Sequence, residues 1–185
     1  RPKAPRPALP PRPTPPADAR PDKLSVTRIE TLVRDPYAIY AGQILKLRAL
    51  DPLQADPGAA DRGTIVHRAM DRFIKAFPDD LPADAERHLL EIGREVFESF
   101  LTRPGVRALW WPRFQRIASW FVANERRSRE QGFRTVSTEA TAKLEISGFR
   151  GPFTINARAD RIDFRADVGY AVIDYKTGAP PTAKQ

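Results

Sequence analysis

The sequence predicts an α+β (mixed) fold with a central β-sheet flanked by helices. Apolar residues recur with a helical period up to about residue 131, and after Gly132 they follow the period of strands. Because helical and strand patterns are separated along the chain, we expect a three-strand meander rather than a doubly wound parallel sheet. The length of 185 residues and the hydrophobic share of 41% are sufficient for one core and a tail.

Residues 1–22 are rich in proline and arginine, and we interpret them as a basic linker. Proline fixes φ and lacks an amide donor, so neither a helix nor a strand is expected here. Such a segment is an extended, semi-rigid spacer, and a ligand for an SH3-type domain is the alternative. The chain begins with Arg1 instead of methionine, and we expect it to be part of a longer protein.

The helical part begins with two short helices, each preceded by a residue that can cap it. The Ser25 hydroxyl predicts the start of a helix that ends near Val33. Asp35 followed by Pro36 predicts a second helix, which ends near Ile44, because these residue types favour the N-cap and the first helical position.

Three longer helices are predicted after a polar loop at about 48–60. The spacing of apolar residues predicts helices over 61–77 and 84–101. A further helix is expected to begin at Pro112, because proline at the first helical position loses no hydrogen bond.

The strand patterns cover about 135–147, 153–165 and 169–176. A short polar turn centred on Asp167 separates the last two strands. A hairpin with that centre places Asp160 directly opposite Asp174, and Arg158 opposite Lys176. A one-residue bulge near Asp160 would shift this pairing, and the sequence leaves that alternative open.

Two opposed carboxylates and a nearby lysine indicate a metal-dependent reaction. At 4–5 Å and an effective dielectric near 20, two carboxylates repel by roughly 3–4 kcal/mol, which a divalent cation removes. Oxygen ligands suit Mg²⁺ or Mn²⁺. Lys176 lies two residues after Asp174, so both are expected on one face, where the lysine can stabilise transition-state charge. The alternative is a structural ion pair at a strand end.

The charge balance favours a polyanionic partner. The formal net charge is +8 and the sequence pI is about 10.2, which is typical of proteins that bind nucleic acid. The absence of cysteine excludes a disulfide framework and a cysteine-held zinc or iron–sulfur site in this chain. The sequence contains no apolar run long enough for a membrane span and no secretory signal pattern, so we expect a cytoplasmic protein.

Basic residues surround two tryptophans in the helical part. One cluster is Arg103, Arg107, Arg113 and Arg116 around Trp110 and Trp111, and a second is Arg126, Arg127 and Arg129. Arginines can neutralise phosphates and tryptophans can stack on unpaired bases. We favour burial of both tryptophans in the core. For the arginines, phosphate binding and a solvated helix face both stay open.

Four segments resemble motifs of the RecB-family branch of PD-(D/E)XK nucleases. The family's GRIDRID run resembles ARADRID at 157–163, and its IDYKTG run is matched by IDYKTG at 173–178. The family's RGxxxH helix resembles RGTIVH at 62–67. Its opening helix and Cys-Pro-Tyr segment resemble residues 24–30 and 35–37. The agreement is greatest with the C-terminal nuclease domain of AddB-type subunits of helicase–nucleases. It extends over about 24–178, and we assign 23–185 to such a domain, incomplete at its C-terminus.

The resemblance implies a restriction-endonuclease-like core and a Mg²⁺-dependent deoxyribonuclease, for which Mn²⁺ can substitute. It implies that Asp160, Asp174 and the backbone carbonyl of Tyr175 are metal ligands, that His67 projects toward the metal, and that Lys176 is the catalytic lysine. It further implies double-strand break repair by homologous recombination at the nucleoid, with DNA, an AddA-like partner subunit and an upstream helicase-like domain. Exonuclease and endonuclease action both stay open.

Two departures from the family and two rival functions bear on this interpretation. Asp35 stands where many AddB-like proteins have a cluster-binding cysteine, so we expect no iron–sulfur cluster. The family continues to a glutamine-containing helix, and we expect that helix to lie beyond Gln185. The rivals are a catalytically inactive DNA-binding or scaffolding module and a nuclease of CRISPR spacer acquisition. Glu139 is either an accessory acidic residue or an exposed strand residue.

Overall fold

The computed structural model describes residues 12–50, 57–148 and 151–178. Its helices are α1 (Val26–Arg34), α2 (Pro36–Ile39), α3 (Ala59–Ala76), α4 (Ala85–Leu101) and α5 (Pro104–Glu130), and its strands are β1 (Lys23–Ser25), β2 (Arg134–Gly148), β3 (Gly151–Arg165) and β4 (Gly169–Ile173). This element order confirms the mixed α+β fold. The chain divides into two compact units, one of 1–52 with 142–157 and the other of 53–141 with 158–185.

The first unit contains the capped short helices that the sequence predicts. The Ser25 hydroxyl accepts a hydrogen bond from the Arg28 amide at 3.3 Å, and the Asp35 carboxylate accepts one from the Ala38 amide at 3.2 Å. Both predicted N-caps are therefore confirmed. After α2 the backbone widens into a π-helical turn, Tyr40–Ile44, so the second helix reaches its expected end in a different hydrogen-bonding pattern.

The segment before β1 corrects one expectation. Ala17–Ala19 form a 3₁₀ turn, whereas neither helix nor strand was expected among the prolines. These residues keep their amides, and the Ala19 amide donates to the Pro16 carbonyl at 3.1 Å. Beyond this turn, β1 pairs in parallel with β3, with Leu24 beside Ile155. The linker residues 1–11 and the loop residues 51–56 lie outside the described residues.

The core of the second unit lies between α3, α4 and α5. Its buried apolar side chains include Val66, Met70, Phe73, Leu89, Phe97 and Phe114. Helix α3 begins at Ala59, two residues earlier than expected, because Asp61 caps it from its third position: its carboxylate accepts the Gly58 amide at 2.8 Å. Helix α4 begins one residue later than predicted and ends at Leu101 as expected.

The start of α5 differs from the prediction. The helix begins at Pro104, and Pro112 lies inside it. Pro104 instead of Pro112 occupies the first helical position, and the preceding residues Val106 and Trp110 are buried in the core, so their packing extends the helix back to Pro104. In the described ranges, no helix combines the length and apolar content that crossing a membrane requires.

Strand β3 is the central strand of a four-stranded sheet. It neighbours β2 and pairs with β1 and β4, so the predicted meander β2–β3–β4 is present. The hairpin register is also the predicted one, since Arg161 pairs with Ile173 and Arg165 with Gly169 around the 166–168 turn. Strand β4 ends at Ile173, three residues earlier than expected.

Candidate active site

Asp160 of β3 contacts two other residues of the predicted site. Its Oδ1 lies 3.5 Å from His67 Nδ1, and its Oδ2 accepts a hydrogen bond from the Tyr175 amide at 2.7 Å. The Asp160 side chain is only 17% exposed and that of His67 is 26% exposed. The carboxylate therefore joins helix α3 to the segment after β4, and three of the predicted site residues lie together.

His67 reaches Asp160 because α3 presents it on the side that faces the sheet residues of this unit. Ile65, Val66 and Ala69 of α3 are buried, which fixes the rotation of the helix about its axis. The Tyr175 ring contacts the His67 ring edge-to-face, with centroids 5.8 Å apart, and contacts Phe121 in the same manner at 5.7 Å. Burial raises the pKa of the Tyr175 phenol to about 12.

Asp174 and Lys176 lie just beyond the end of β4 and not within it. Their side chains form an ion pair, with 2.6 Å between Lys176 Nζ and Asp174 Oδ2. The Lys176 side chain is 66% exposed and the Asp174 side chain is 56% exposed. The hydrogen bond to Asp174 raises the pKa of Lys176, so the lysine is cationic at neutral pH. The two side chains lie on the same side of the backbone, as expected. They form the ion pair at a strand end that was the structural alternative to a metal site.

Glu139 and Arg158 add charge beside Asp160. The Glu139 carboxylate accepts a hydrogen bond from Arg158 at 2.5 Å, so Arg158 pairs with β2. Glu139 lies within β2, not at its opening, and has a φ of 53°, a left-handed conformation that costs a non-glycine residue about 1–3 kcal/mol. A cavity of about 440 Å³ is lined by Thr64, His67, Arg68, Asp71, Glu139, Arg158 and Asp160.

The donors at this site suit a hard divalent cation in their chemistry. Asp160 and Asp174 offer carboxylate oxygens, Tyr175 a carbonyl oxygen and His67 an imidazole nitrogen. Across the described ranges, no three His, Cys, Asp or Glu side chains form a group that could hold a metal ion. Asp160 and His67 are in contact, whereas Asp174 is bound to Lys176. The ligand roles of these residues therefore stay predictions.

A buried ionic cluster supports β3 next to Asp160. The Arg161 guanidinium donates to Glu125 Oε2 of α5 and to Asp163 Oδ1, both at 2.5 Å, and all three residues are at most 3% exposed. Burial by itself lowers the pKa of Arg161, but its hydrogen bonds to Asp163 and Glu125 outweigh burial and raise it. The arginine is therefore permanently charged and ties β3 to α5.

The tryptophans and arginines of α5 divide into buried and exposed groups. Trp110 is 9% exposed and stacks on Phe100, so its predicted burial is confirmed, whereas Trp111 is partly buried and packs against the core on Phe97. Trp120, which the sequence analysis did not single out, is 64% exposed. It follows buried Phe114 by six residues and precedes buried Phe121 by one, so it lies off the buried stripe of α5, and the helical spacing agrees with its exposure.

Two arginines of the second basic cluster have structural partners. Arg126 donates to the carbonyls of Pro82 and Ala83, both at 2.8 Å. Arg129 donates to the carbonyls of Phe77 and Asp79, both at 2.7 Å, and pairs with Glu125. In the first cluster, Arg113 donates to the Thr177 carbonyl at 3.1 Å and so holds the segment that follows Lys176.

Comparison with known families agrees with this fold. The model of the PD-(D/E)XK nuclease superfamily matches residues 23–185. The chain therefore belongs to the PD-(D/E)XK nuclease superfamily. Proteins of this superfamily are typically nucleases, hydrolases that generally use divalent metals.

Individual relatives come from the genus Rickettsia. An uncharacterized protein of Rickettsia bellii is 30% identical over 165 residues, which are 89% of this chain and 20% of that protein. Uncharacterized proteins of Rickettsia conorii and Rickettsia typhi are each 27% identical over 169 residues, which are 89% of this chain and 20% and 19% of those proteins. The chain thus spans about one fifth of the length of these relatives. No solved structure matches the chain.

Proposed function

We propose that this chain is a Mg²⁺-dependent DNA nuclease domain that hydrolyses phosphodiester bonds of single strands. The observation that carries the proposal is the position of Asp160, whose carboxylate contacts both His67 and the Tyr175 amide. The hairpin register supports the proposal further. Ile173 of β4 pairs with Arg161, so Asp174 follows immediately after the strand residue that lies opposite the neighbour of Asp160. Membership in the nuclease superfamily makes hydrolysis the expected chemistry.

The residues have distinct roles under this proposal. Asp160, Asp174, the Tyr175 carbonyl and His67 hold the cation, which supplies an activated water and polarises the phosphodiester when bound. Lys176 is cationic at neutral pH and stabilises negative charge that develops on the phosphate in the transition state. Glu139 holds Arg158 beside the cavity, where the guanidinium can bind a substrate phosphate.

The wider setting is part of the same proposal. The resemblance to AddB-type domains supports a helicase–nuclease that acts in double-strand break repair, with an AddA-like partner subunit, in the cytoplasm at the nucleoid. Because the relatives are about five times as long as the matched region, there is room in such proteins for a helicase-like domain. No iron–sulfur cluster is proposed, since this chain contains no cysteine.

The test combines metal binding with cleavage. We expect Mn²⁺ binding by calorimetry and Mg²⁺-dependent cutting of single-stranded DNA by the protein. Asp174→Ala should lose both, and Lys176→Ala should lose cutting but retain metal binding. Val172→Ala, an exposed β4 residue, is the control and should retain both. If the protein neither binds metal nor cuts DNA, either alone or within its full-length chain, the proposed nuclease function is wrong.

A second candidate function is a DNA-binding scaffold that does not cut. The exposed ion pair between Asp174 and Lys176 favours it, because this pair neutralises a carboxylate and the lysine without a metal. A scaffold binds DNA equally well with and without Mg²⁺, and its binding is unaffected by Asp174→Ala. Metal-dependent cutting excludes it.

A further inference from the structure

A second cavity lies beside Asp174 and Lys176, along one face of α5. Its volume is about 250 Å³, below the roughly 300–1,000 Å³ of pockets that take drug-sized ligands, so it has room for one small group. Residues Ile117, Trp120, Asn124 and Ser128 of α5 line it, and residues 173–177 line it from the end of β4. The helix residues are three or four positions apart, so they form one continuous stripe.

Trp120 gives this cavity its chemical character. The side chain lines the cavity and yet is 64% exposed, whereas Trp110 of the same helix is buried in the core and Trp111 is partly buried against it. Exposing a large aromatic side chain has no benefit for folding, because burial of that surface would stabilise the protein. An exposed indole instead offers a flat surface on which an unpaired base can stack.

Polar side chains line the same cavity as the indole. Asn124, one turn of α5 further on, is exposed and carries a carboxamide that can donate to and accept from a base edge. Lys176 lines the same cavity, and its ammonium group is paired there with the Asp174 carboxylate at 2.6 Å. An aromatic surface with an amide and a cation next to it is complementary to a nucleotide, which has a π-face, polar edges and a negative phosphate.

We propose that the cavity lined by Trp120, Asn124 and Lys176 is a subsite for one unpaired nucleobase of a single-stranded DNA. The base stacks on the Trp120 indole, and the phosphate attached to it lies toward Lys176. The subsite rests on the proposed nuclease function and deepens it, because it selects single strands: a base within a duplex is not available for stacking on a side chain.

The test compares binding of two oligonucleotides of about ten nucleotides, one of thymidines and one abasic, within the range that single-strand-binding folds occupy. Their phosphates are equal in number, so a difference in Kd reports base contacts alone. Binding is measured by fluorescence anisotropy in EDTA, which prevents cutting. Trp120→Ala should weaken binding of the thymidine strand by about 5- to 150-fold and leave binding of the abasic strand unchanged.

Two further variants control the interpretation. Trp120→Phe keeps an aromatic face and should retain most of the preference for the thymidine strand. Leu109→Ala removes another exposed apolar side chain of α5, 72% exposed and outside the cavity, and should behave as the wild type. If the Trp120→Ala variant still prefers the thymidine strand and the wild type cuts DNA, the proposed subsite is wrong and the proposed nuclease function is retained. If the wild type binds neither strand and does not cut, both proposals fail.

Discussion

At the scale of single residues, Asp160 combines a structural and a proposed chemical role. One carboxylate oxygen accepts the Tyr175 amide, and the other lies against His67. Since the side chain is mostly buried, its loss would leave an amide without an acceptor as well as a site without its central carboxylate. The two roles can be separated, because only the second requires a negative charge.

Two substitutions at Asp160 make that separation. Asp160→Ala removes the acceptor of the Tyr175 amide, and we expect it to lower the free energy of unfolding by about 1–3 kcal/mol. Asp160→Asn keeps a carbonyl oxygen that can accept the same bond, so we expect a loss below about 1 kcal/mol. Both variants should lose metal-dependent cutting. Urea denaturation measures the stabilities, and equal losses in the two variants would contradict the hydrogen-bonding role.

Tyr175 gives the protein a specific sensitivity to alkali. Its pKa is about 12 in the folded protein against an ordinary value of 10.0, so the unfolded chain loses this proton first. Between those values the folded state binds more protons, and stability therefore falls as pH rises. The contribution is complete below about pH 10 and decreases by at most about 1.4 kcal/mol for each pH unit above it.

The measurement is the free energy of unfolding as a function of pH in the wild type and in Tyr175→Phe. The wild type should lose stability more steeply than the variant from about pH 10 to 11. Tyr170→Phe, at a residue that is 72% exposed, is the matched control. Parallel curves for wild type and Tyr175→Phe would show that the phenol does not couple to folding.

At the scale of secondary structure elements, the contact between α4 and α5 depends on a glycine. Gly93 lies in the interior of α4, where glycine is about 1 kcal/mol less favourable than alanine. It is tolerated because the Phe114 ring of α5 occupies the space of a side chain: a Cβ on Gly93 would lie 2.7 Å from Phe114 Cζ. Phe114 is 1% exposed and has no room to move.

We therefore expect Gly93→Ala to destabilise the protein despite its better helix propensity. Overpacking of a core costs about 1–3 kcal/mol, which exceeds the gain in propensity. Gly105→Ala is the matched control, because a Cβ there meets no atom within 4 Å, and it should raise stability by up to about 1 kcal/mol. Thermal unfolding measures both, and a stabilised Gly93→Ala would show that α4 and α5 are less closely packed.

The ionic cluster of Arg161 is the second link between elements. Replacement of Arg161 by methionine leaves Asp163 buried without a cation and Glu125 paired only with Arg129, and we expect a loss of about 3–5 kcal/mol in the free energy of unfolding. Arg158→Met breaks an ion pair whose arginine is 67% exposed, so its cost should stay below about 1 kcal/mol. Similar losses in the two variants would contradict the role of burial.

At the scale of the whole molecule, net charge and the placement of individual arginines make different contributions. The 31 basic and 23 acidic residues give a net positive charge, which favours a polyanionic partner at long range. Arg126 and Arg129 are engaged by backbone carbonyls of the segment before α4, so they contribute to folding. Arg116 of the first cluster is exposed and is therefore the better candidate for a phosphate contact.

Salt dependence tests this division. If the protein binds single-stranded DNA, its affinity should fall linearly on a log–log plot against salt, with a slope of about −0.7 per phosphate contacted. Arg116→Gln should make the slope shallower by about 0.7, whereas Arg126→Gln should leave it unchanged. An affinity that does not vary with salt would contradict the inference from net charge.

The sequence by itself determined the features that depend on neighbours in the chain. The N-caps at Ser25 and Asp35 and the centre of the hairpin turn follow from local hydrogen bonding and from strand alternation, and the structure confirms them. The family resemblance implied that His67 projects toward the metal, and the structure places His67 in contact with Asp160. The domain boundary at residue 23 stays a prediction, as do the metal-binding and catalytic roles.

Only the tertiary structure decided the features that depend on packing between distant segments. It extended α5 back to Pro104, ended β4 before Asp174 and gave Glu139 a left-handed backbone. A local pattern states that a residue can form a helix or fill a core. Which face of that helix is covered depends on the other elements packed against it, and their positions are not encoded within any single turn or strand.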